Sequence, residues 1–544
     1  MPAPPFLRSP PFPGIAVADA AISVATERRA GVHISDAVLD SIAAARVGGA
    51  FWGERRSGIA LILGSGLSPP PALVERLAPA RIGIVGPGGG GERSSGATIL
   101  PANCDPWALV ERADCVCADA GDELALVAGL LGRPVYDAQG AAVPDELLRA
   151  AVRARLSGAT YRNCFTGEAA DIEEAIALLA DWRRHFDGNH GIAAASGMAF
   201  WKQDAIRRFL WNGTHSPPLL SPRRGLKRAR RQGGALAVWP SRVPATLAPK
   251  AAKAEVPIVR IEDGFLRSRG LGAALHPPGS VVIDRTGLYY DARASSDLER
   301  LLAEHSFPAP LVARAAALRR RLRATGMTKY GAQAGASVPL PPGQRTVLAV
   351  GQVDDDLSVR LGGAGIGGNL DFLGRVRRAE PDAWIIYRPH PDVQAGHRRG
   401  HLSEPTILRH ADAIDTGAPL MGLVEAVDAV HVLSSLTGFE ALMRDRPVTV
   451  HGMPFYAGWG LTHDLAQPID RRGRALTLDQ LVAGALILYP RYLDPVTGLP
   501  CGPEIMVSRL ASDSASRDGW LIRLRRVQGK LRRIMTLSAD FIHG

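Results

Sequence analysis

Three short apolar runs, each ending in a polar cluster, constrain this chain most. Thr346–Val350 runs into Gly351-Gln352-Val353-Asp354-Asp355-Asp356, Trp384–Tyr387 into Arg388-Pro389-His390-Pro391, and Ala429–Leu433 into Ser434-Ser435-Leu436-Thr437-Gly438. Apolar runs of this length bounded by turn residues read as buried strands. Between the first two, Asn369–Ala379 has helical spacing. Strands alternating with helices build a mainly parallel sheet. Parallel strands end at one edge, so the three polar clusters are expected together past their carboxyl ends, where open α/β sheets bind ligands.

A second pattern of the same kind comes earlier. Residues 171–186 are apolar at helical intervals with an acidic first turn. Ile192–Ala195, Leu236–Trp239 and Pro257–Ile261 read as strands, the last ending in Glu262-Asp263-Gly264. Val281–Ile283 is a further strand, closed by the turn Asp284-Arg285-Thr286-Gly287, and residues 309–326 form a basic helix before a Pro-rich linker at 338–343. The expected fold class is α/β: a GT-B glycosyltransferase, with two Rossmann-like domains (171–340 and 341–505) facing across a cleft. A shortened, degenerate α/β module (1–170) precedes them and a basic amphipathic tail (506–544) follows.

The degenerate module is read from a faint repeat. Residues 109–135, LVERADCVCADAGDELALVAGLLGRPV, and 423–448, LVEAVDAVHVLSSLTGFEALMRDRPV, share the order Leu-Val-Glu, Asp, strand, helix, Arg-Pro-Val. The turns before the helices differ. Ser434, Ser435, Thr437 and Gly438 in the second copy suit a phosphate, because free N–H groups and the helix dipole favour an anion there. Asp119, Ala120, Gly121 and Asp122 in the first repel one. Chance similarity of two strand–helix units is the alternative. The glycine run 86–91 lacks a following helix and reads as a loop.

The net charge of +11 favours anionic partners: nucleic acid, an anionic membrane or acidic substrates. No nucleic-acid-binding module is recognisable, so no nucleic-acid partner is predicted. The excess gathers at Arg223–Arg231 and in the tail, where Trp520, Leu524, Val527, Leu531 and Ile534 form one helical face among Arg523, Arg525, Arg526, Lys530, Arg532 and Arg533. That tail reads as a membrane-surface helix or as a helix packed on the protein with a solvated basic face. Cys104, Cys115, Cys117, Cys164 and Cys501 have no zinc spacing and read as buried reduced thiols. No segment has the length of apolar residues that a membrane helix needs, and the Pro-rich N-terminus is unlike a signal peptide. The expected location is cytoplasmic, peripheral to the inner face of the inner membrane.

At 262–272 (EDGFLRSRGLG), 281–292 (VVIDRTGLYYDA), 351–359 (GQVDDDLSV), 387–393 (YRPHPDV), 434–462 and 481–495 the chain resembles the capsule-synthesis β-Kdo transferases of the KpsC/LipA type. The Glu-Asp-Gly, His-Pro and Ser-Ser elements are also similar to those of bacterial GT-B sialyltransferases. Family members usually carry two transferase modules; here one is complete and the first is shortened. The resemblance implies transfer of Kdo from CMP-Kdo to a lipid-linked Kdo acceptor with retention, hence a carboxylate nucleophile. It points to Asp356 as that nucleophile, with Asp354 and Asp355 beside it; the alternative is a polar turn. Glu262 is the expected base, or else a structural acid paired with Arg267 or Arg269, and Asp263 is expected to bind substrate. His390 would donate to the departing phosphate. Ser434, Ser435, Thr437 and Gly438 would hold that phosphate, and Glu440 the ribose. Arg388, Arg242 and Arg267 are candidates for a carboxylate or phosphate, or for surface ion pairs. Asp284 has no assigned role. No metal or other cofactor is predicted.

Together these readings predict a retaining transferase building the poly-Kdo linker on the lipid anchor of capsular polysaccharide, with other capsule-synthesis proteins as further expected partners. A transferase for another CMP-nonulosonate and a non-catalytic glycolipid-binding scaffold are the alternatives.

Overall fold

Runs that are apolar at every position form strands covered on both faces. A computed structural model of the chain describes residues 4–25, 33–56, 58–64, 81–86, 97–266, 277–325, 327–328, 331–332, 340–396, 398–415 and 417–512. The chain divides into two units. The first comprises Met1–Gly191, Arg207–Pro217 and Thr497–Cys501, and the second the remainder.

In the first unit, β1 (Leu61–Leu63), β2 (Ile82–Gly86), β3 (Thr98–Pro101), β4 (Cys115–Cys117) and β5 (Val135–Tyr136) form a parallel sheet in the order β3-β2-β1-β4-β5. Its core holds Leu61, Leu63, Ile82, Cys115 and Cys117. Cys104 is also buried, Cys164 and Cys501 are half-buried, and all five cysteines are free thiols. Helix α1 (Pro106–Val110) is capped by Asp105, and α2 (Glu123–Leu130) by Asp122. The acidic start at 171–186 forms a capping box, with Asp171 and Glu174 closing the first turn of α3 (Ile172–Asp187).

The second unit holds two sheets. The first contains β6 (Ile192–Ser196), β7 (Ala235–Val238), β8 (Ile258–Asp263) and β9 (Ser280–Asp284). Helices α4 (Pro222–Gln232) and α5 (Leu247–Lys253) pack on it through Ala229, Leu247 and Ala251. Strands β6, β7 and β8 are parallel, whereas β9 runs antiparallel to β8. The mainly parallel expectation holds for β6, β7 and β8 but not for β9, an interior strand with antiparallel neighbours on both sides. The apolar character of β9 reported its burial but carried no information about its direction. After α6 (Ala309–Ala324), the second sheet is built from β10 (Thr346–Val350), β11 (Trp384–Arg388), β12 (Ala413–Ile414), β13 (Ala429–Val432), β14 (Val448–Val450) and β15 (His463–Asp464). All six are parallel, in the order β12-β11-β10-β13-β14-β15. Strand β16 (Pro490–Leu493) returns to pair antiparallel with β9 in the first sheet. Between strands of the second sheet lie α7 (Leu357–Gly362), α8 (Asn369–Ala379), α9 (Pro391–Gln394), α10 (Leu420–Ala426) and α11 (Leu436–Leu442).

The two copies of the repeat occupy equivalent topological places. In the first unit α1-β4-α2-β5 puts β4 beside β1. In the second unit α10-β13-α11-β14 puts β13 beside β10. Among the described residues no helix is long and apolar enough to cross a membrane. The glycine run beyond residue 86, Arg267, and the tail beyond residue 512 lie outside the described residues.

A polar chain runs from two buried histidines to an exposed arginine at the second sheet. His431 Nδ1 lies 3.1 Å from His451 Nε2, His431 Nε2 lies 3.3 Å from Glu380, and Arg345 binds both Glu380 oxygens at 2.8 and 2.9 Å. Burial holds the His431 pKa down to about 4 and that of His451 to about 3. Their unfolded-state value is 6.5, so below it the unfolded chain binds more protons than the folded one. Their contribution to stability is full above about pH 6.5 and is lost as pH falls toward 4. Urea midpoints are expected to drop over this window, and a His431→Gln/His451→Gln chain to show a shallower drop.

Candidate active site

The carboxyl ends of β10, β11 and β13 are where the three polar clusters lie, and they line one pocket with residues from the first sheet of the same unit. Asp356, Arg388, His390, Ser434, Ser435, Thr437 and Glu440 all line it, joined by Phe265, Tyr289, Tyr290, Gln352 and Phe455. Five of the six chain segments that carry the predicted motifs therefore contribute to a single cavity.

Asp356 caps α7, its Oδ1 accepting the Ser358 N–H at 3.4 Å, and its side chain is exposed in the pocket. Its two neighbours face elsewhere. Asp354 accepts the Asn369 N–H at 3.2 Å, and Asp355 is exposed beside Arg398 at 3.2 Å. His390 caps α9 through Nδ1, which accepts the Asp392 N–H at 3.1 Å. An accepting Nδ1 carries no proton, so a neutral ring holds its proton on Nε2.

The hydroxyl turn divides into different tasks. Ser434 is committed to the protein: its N–H donates to Gln352 Oε1 at 2.7 Å, its Oγ accepts from Gln352 Nε2 at 3.2 Å and donates to the Ser358 carbonyl at 3.1 Å. Ser435 caps α11, accepting the Thr437 N–H and donating to Thr437 Oγ1, both at 3.2 Å. Gly438 does not line the pocket. It lies against Tyr456, whose hydroxyl donates to the Ser435 carbonyl, and a Cβ there would overlap that hydroxyl. Arg388 lines the pocket, but its Nη1 is held by Asp415 and by the Ala418 carbonyl, each at 2.5 Å. Arg242 is exposed beside Trp201 and is not among the pocket residues.

Glu262 stands at the end of β8, behind the pocket wall, and accepts a hydrogen bond from Tyr290 Oη at 3.0 Å. Burial above all, then the charge of Asp263, lifts its pKa to about 7; Tyr290 and Lys202 oppose the rise and Asp356 adds to it. Burial pushes the Tyr290 hydroxyl well up, with Glu262 and Asp356 adding to the shift. Asp356 and Glu262 are thus close enough to feel each other's charge, with Tyr290 beside both. Asp263 pairs with the buried Lys202 at 2.8 Å, and that ammonium lies 3.6 Å from the Trp239 ring centre. Among the described residues no three His, Cys, Asp or Glu side chains gather as metal ligands would.

Two features escaped the sequence reading. Asp284 is a structural hub: it accepts the Thr286 and Gly287 N–H groups on one oxygen and the Asp297 N–H and Tyr489 Oη on the other, at 2.7–2.9 Å. It fixes the turn that delivers Tyr289 and Tyr290. Those tyrosines belong, with Phe265, Phe439 and Phe455, to an aromatic cluster whose Phe265–Phe455 rings stack at 4.6 Å. The adjacent tyrosines after a strand-ending turn were the available signal.

Residues 234–325 and 305–492 match the family described as capsule polysaccharide biosynthesis protein. The chain is similar to the capsule polysaccharide modification protein LipA of Neisseria meningitidis serogroup A, at 36% identity over 424 residues, covering 73% of this chain and 60% of LipA. It is also similar to the lipopolysaccharide-processing protein LpsZ of Rhizobium meliloti, at 45% identity over 249 residues, covering 44% of this chain and 56% of LpsZ. The chain therefore spans 60% or less of the length of these two relatives. Among solved structures it is similar to Thermosulfurimonas dismutans KpsC, described as a β-Kdo 2,4 transferase. That match has 31% identity and a TM-score of 0.52, and covers 60% of this chain and all of the other.

Isotope-edited infrared titration of the Glu262 carboxyl is expected to give a midpoint near pH 7. The midpoint should fall in Asp356→Asn, which removes a neighbouring negative charge, and rise in Tyr290→Phe, which removes a hydrogen bond to the ionised form. Gly438→Ala is expected to lower stability by about 1–3 kcal/mol through overpacking, with Tyr456→Phe in the same chain recovering part of the loss in a denaturant melt.

Proposed function

The chain belongs to the capsule polysaccharide biosynthesis protein family, and we propose that it is a retaining β-Kdo glycosyltransferase of GT-B type. It would use CMP-Kdo to extend a lipid-linked Kdo acceptor and so build the poly-Kdo linker on the lipid anchor of a capsular polysaccharide. The observation that carries the reading is the pocket that unites an exposed Asp356 with His390 and the α11 turn, next to a Glu262 whose pKa is raised to about 7.

In this mechanism the Asp356 carboxylate attacks the anomeric carbon of the donor while the bond to the CMP phosphate breaks. The leaving phosphate takes a hydrogen bond or proton from His390 Nε2, and Ser435, Thr437 and the first N–H groups of α11 hold its charge. Ser434 keeps a positioning role, since its hydroxyl is already committed to Gln352 and Ser358. The buried Glu440, on the α11 wall of the pocket, is our candidate for the ribose hydroxyls. In the second step Glu262 removes the acceptor hydroxyl proton, and the alkoxide displaces Asp356 from the sugar. The product keeps the donor configuration because two inversions cancel. The two carboxyl groups suit different tasks: the exposed Asp356 is open to the donor as nucleophile, and the half-buried Glu262, with a pKa near neutrality, serves as base.

We read the first unit as a module that kept its sheet and lost its phosphate site. Where the second copy has hydroxyls, Asp122 caps α2, and the Glu123 carboxylate is taken by Arg8 and by the Ala50 N–H at 3.1 Å. One linkage per chain follows from this reading, with a partner transferase required for any second one.

The test is a transfer assay with CMP-Kdo generated in situ and a synthetic acceptor ending in one or two Kdo residues. The wild-type chain is expected to add a single β-Kdo, and Asp356→Ala to add none. Glu262→Gln should lose roughly 10²–10⁴-fold in rate. The wild-type rate should rise as pH climbs through about 7, where Glu262 ionises. CMP-Kdo left intact with every acceptor would overturn the proposal.

A further inference from the structure

Pro218 to Ala254 contains nine Lys and Arg residues and no Asp or Glu, and so carries most of the chain's net charge of +11. Helices α4 and α5 lie in this stretch, and both pack on the first sheet of the second unit. Helix α4 buries Gly225 and Ala229. Gly225 sits so close to the sheet that a Cβ would meet Leu236 Cδ1 at 2.8 Å. On the other side Arg223, Arg224, Lys227, Arg230 and Arg231 are exposed. At 100° per residue these five fall within roughly 120° of arc, on one face.

Among the described residues none of the five takes part in an ion pair or side-chain hydrogen bond, whereas Arg228 turns inward to the Ala193 carbonyl at 3.0 Å. The other basic helix, α6, is different: Arg314 pairs with Glu504, Arg319 with Asp445 and Asp479, and Arg323 with Asp445. Three arginines of α6 thus have acidic partners. Those on α4 repel one another at i+3 and i+4 spacing and weaken their own helix. Exposed Lys250 and Lys253 on α5 add two more positive charges to the same layer.

We infer that the α4–α5 face is a docking surface for an anionic phospholipid bilayer. A broad layer of one sign, without an exposed large apolar side chain of its own, suits electrostatic adsorption to a plane of phosphates. Nucleic acid is disfavoured: the one aromatic residue between 218 and 254 is Trp239, which is buried and cannot stack on bases. The choice of a bilayer rests on the lipid-linked acceptor proposed above. The surface itself is separate from the pocket.

Sedimentation of the full chain with vesicles tests this, using phosphatidylcholine alone and phosphatidylcholine with about 30% phosphatidylglycerol. Binding to the anionic vesicles alone is expected, weakening as salt rises. Each neutralised cation should weaken it about fivefold, and the variant R223Q/R224Q/K227Q/R230Q/R231Q by more than roughly 100-fold. The charge-conserving R223K/R224K/R230K/R231K variant should bind as the wild type does. Matching circular dichroism and thermal midpoints establish that both variants fold. Unchanged vesicle binding by the Gln variant would overturn the inference, assigning any adsorption to another surface such as the C-terminal tail. Loss of binding by the Lys variant would overturn it too, as would wild-type binding to random-sequence duplex DNA but not to anionic vesicles. Because adsorption is read without catalysis, failure of the transferase reading would leave this result standing, and the reverse.

Discussion

The pocket depends on a buried lattice of side-chain amides. Asn369, at the start of α8, accepts the Gln352 N–H on Oδ1 at 2.8 Å and donates from Nδ2 to the carbonyls of Gln352 and Gly400 at 2.7 and 2.9 Å. Gln352 then grips both the N–H and the hydroxyl of Ser434. Both amides are buried, so any bond lost leaves an orphaned polar group at a cost of about 1–3 kcal/mol. The lattice ties the carboxyl ends of β10 and β13 to each other, and with them the loop that presents Asp356 and the turn that starts α11.

Asp356 and Glu262 show how placement separates two similar groups. Asp356 caps a short helix at an exposed position. Glu262 lies where burial and two neighbouring carboxylates disfavour its charge, and Tyr290 and Lys202 only partly compensate. The first environment leaves a carboxylate open to solvent, and the second makes one responsive near neutral pH. The structural acid Asp284 belongs to neither class. Its four hydrogen bonds anchor the turn that carries Tyr290, and the electrostatics of Glu262 depend on it through that tyrosine.

The two copies of the repeat share one scaffold with opposite chemistry at the critical turn. Parallel strand order and helix caps survive in both. A cap can be Asp or Ser with little difference to the helix, but to an approaching phosphate the two are opposites.

Much of the architecture was legible in the amino-acid order alone. Apolar runs located three of the six strands of the second sheet, β10, β11 and β13, to within one residue, the acidic first turn marked the start of α3, and polar clusters after those strands marked the edge where the pocket lies. These are local properties, decided by residues a few positions apart. Other matters were not local. The direction of β9 depended on which strand it met. The hydroxyl of Ser434 is committed because Gln352 and Ser358 reach it from about eighty residues away, and the neighbouring Ser435 differs only in its partners. Arg388 is held by Asp415, and Gly438 is small because of Tyr456. The titration of Glu262 near pH 7 is a sum over burial, Asp263, Tyr290, Lys202 and Asp356. The sequence by itself determined the elements and the edge where chemistry gathers, because backbone propensity and periodicity act over short range. Which side chains face the pocket, and in what charge state, was decided by tertiary structure alone, because desolvation and electrostatic fields are set by neighbours that the chain brings together only on folding.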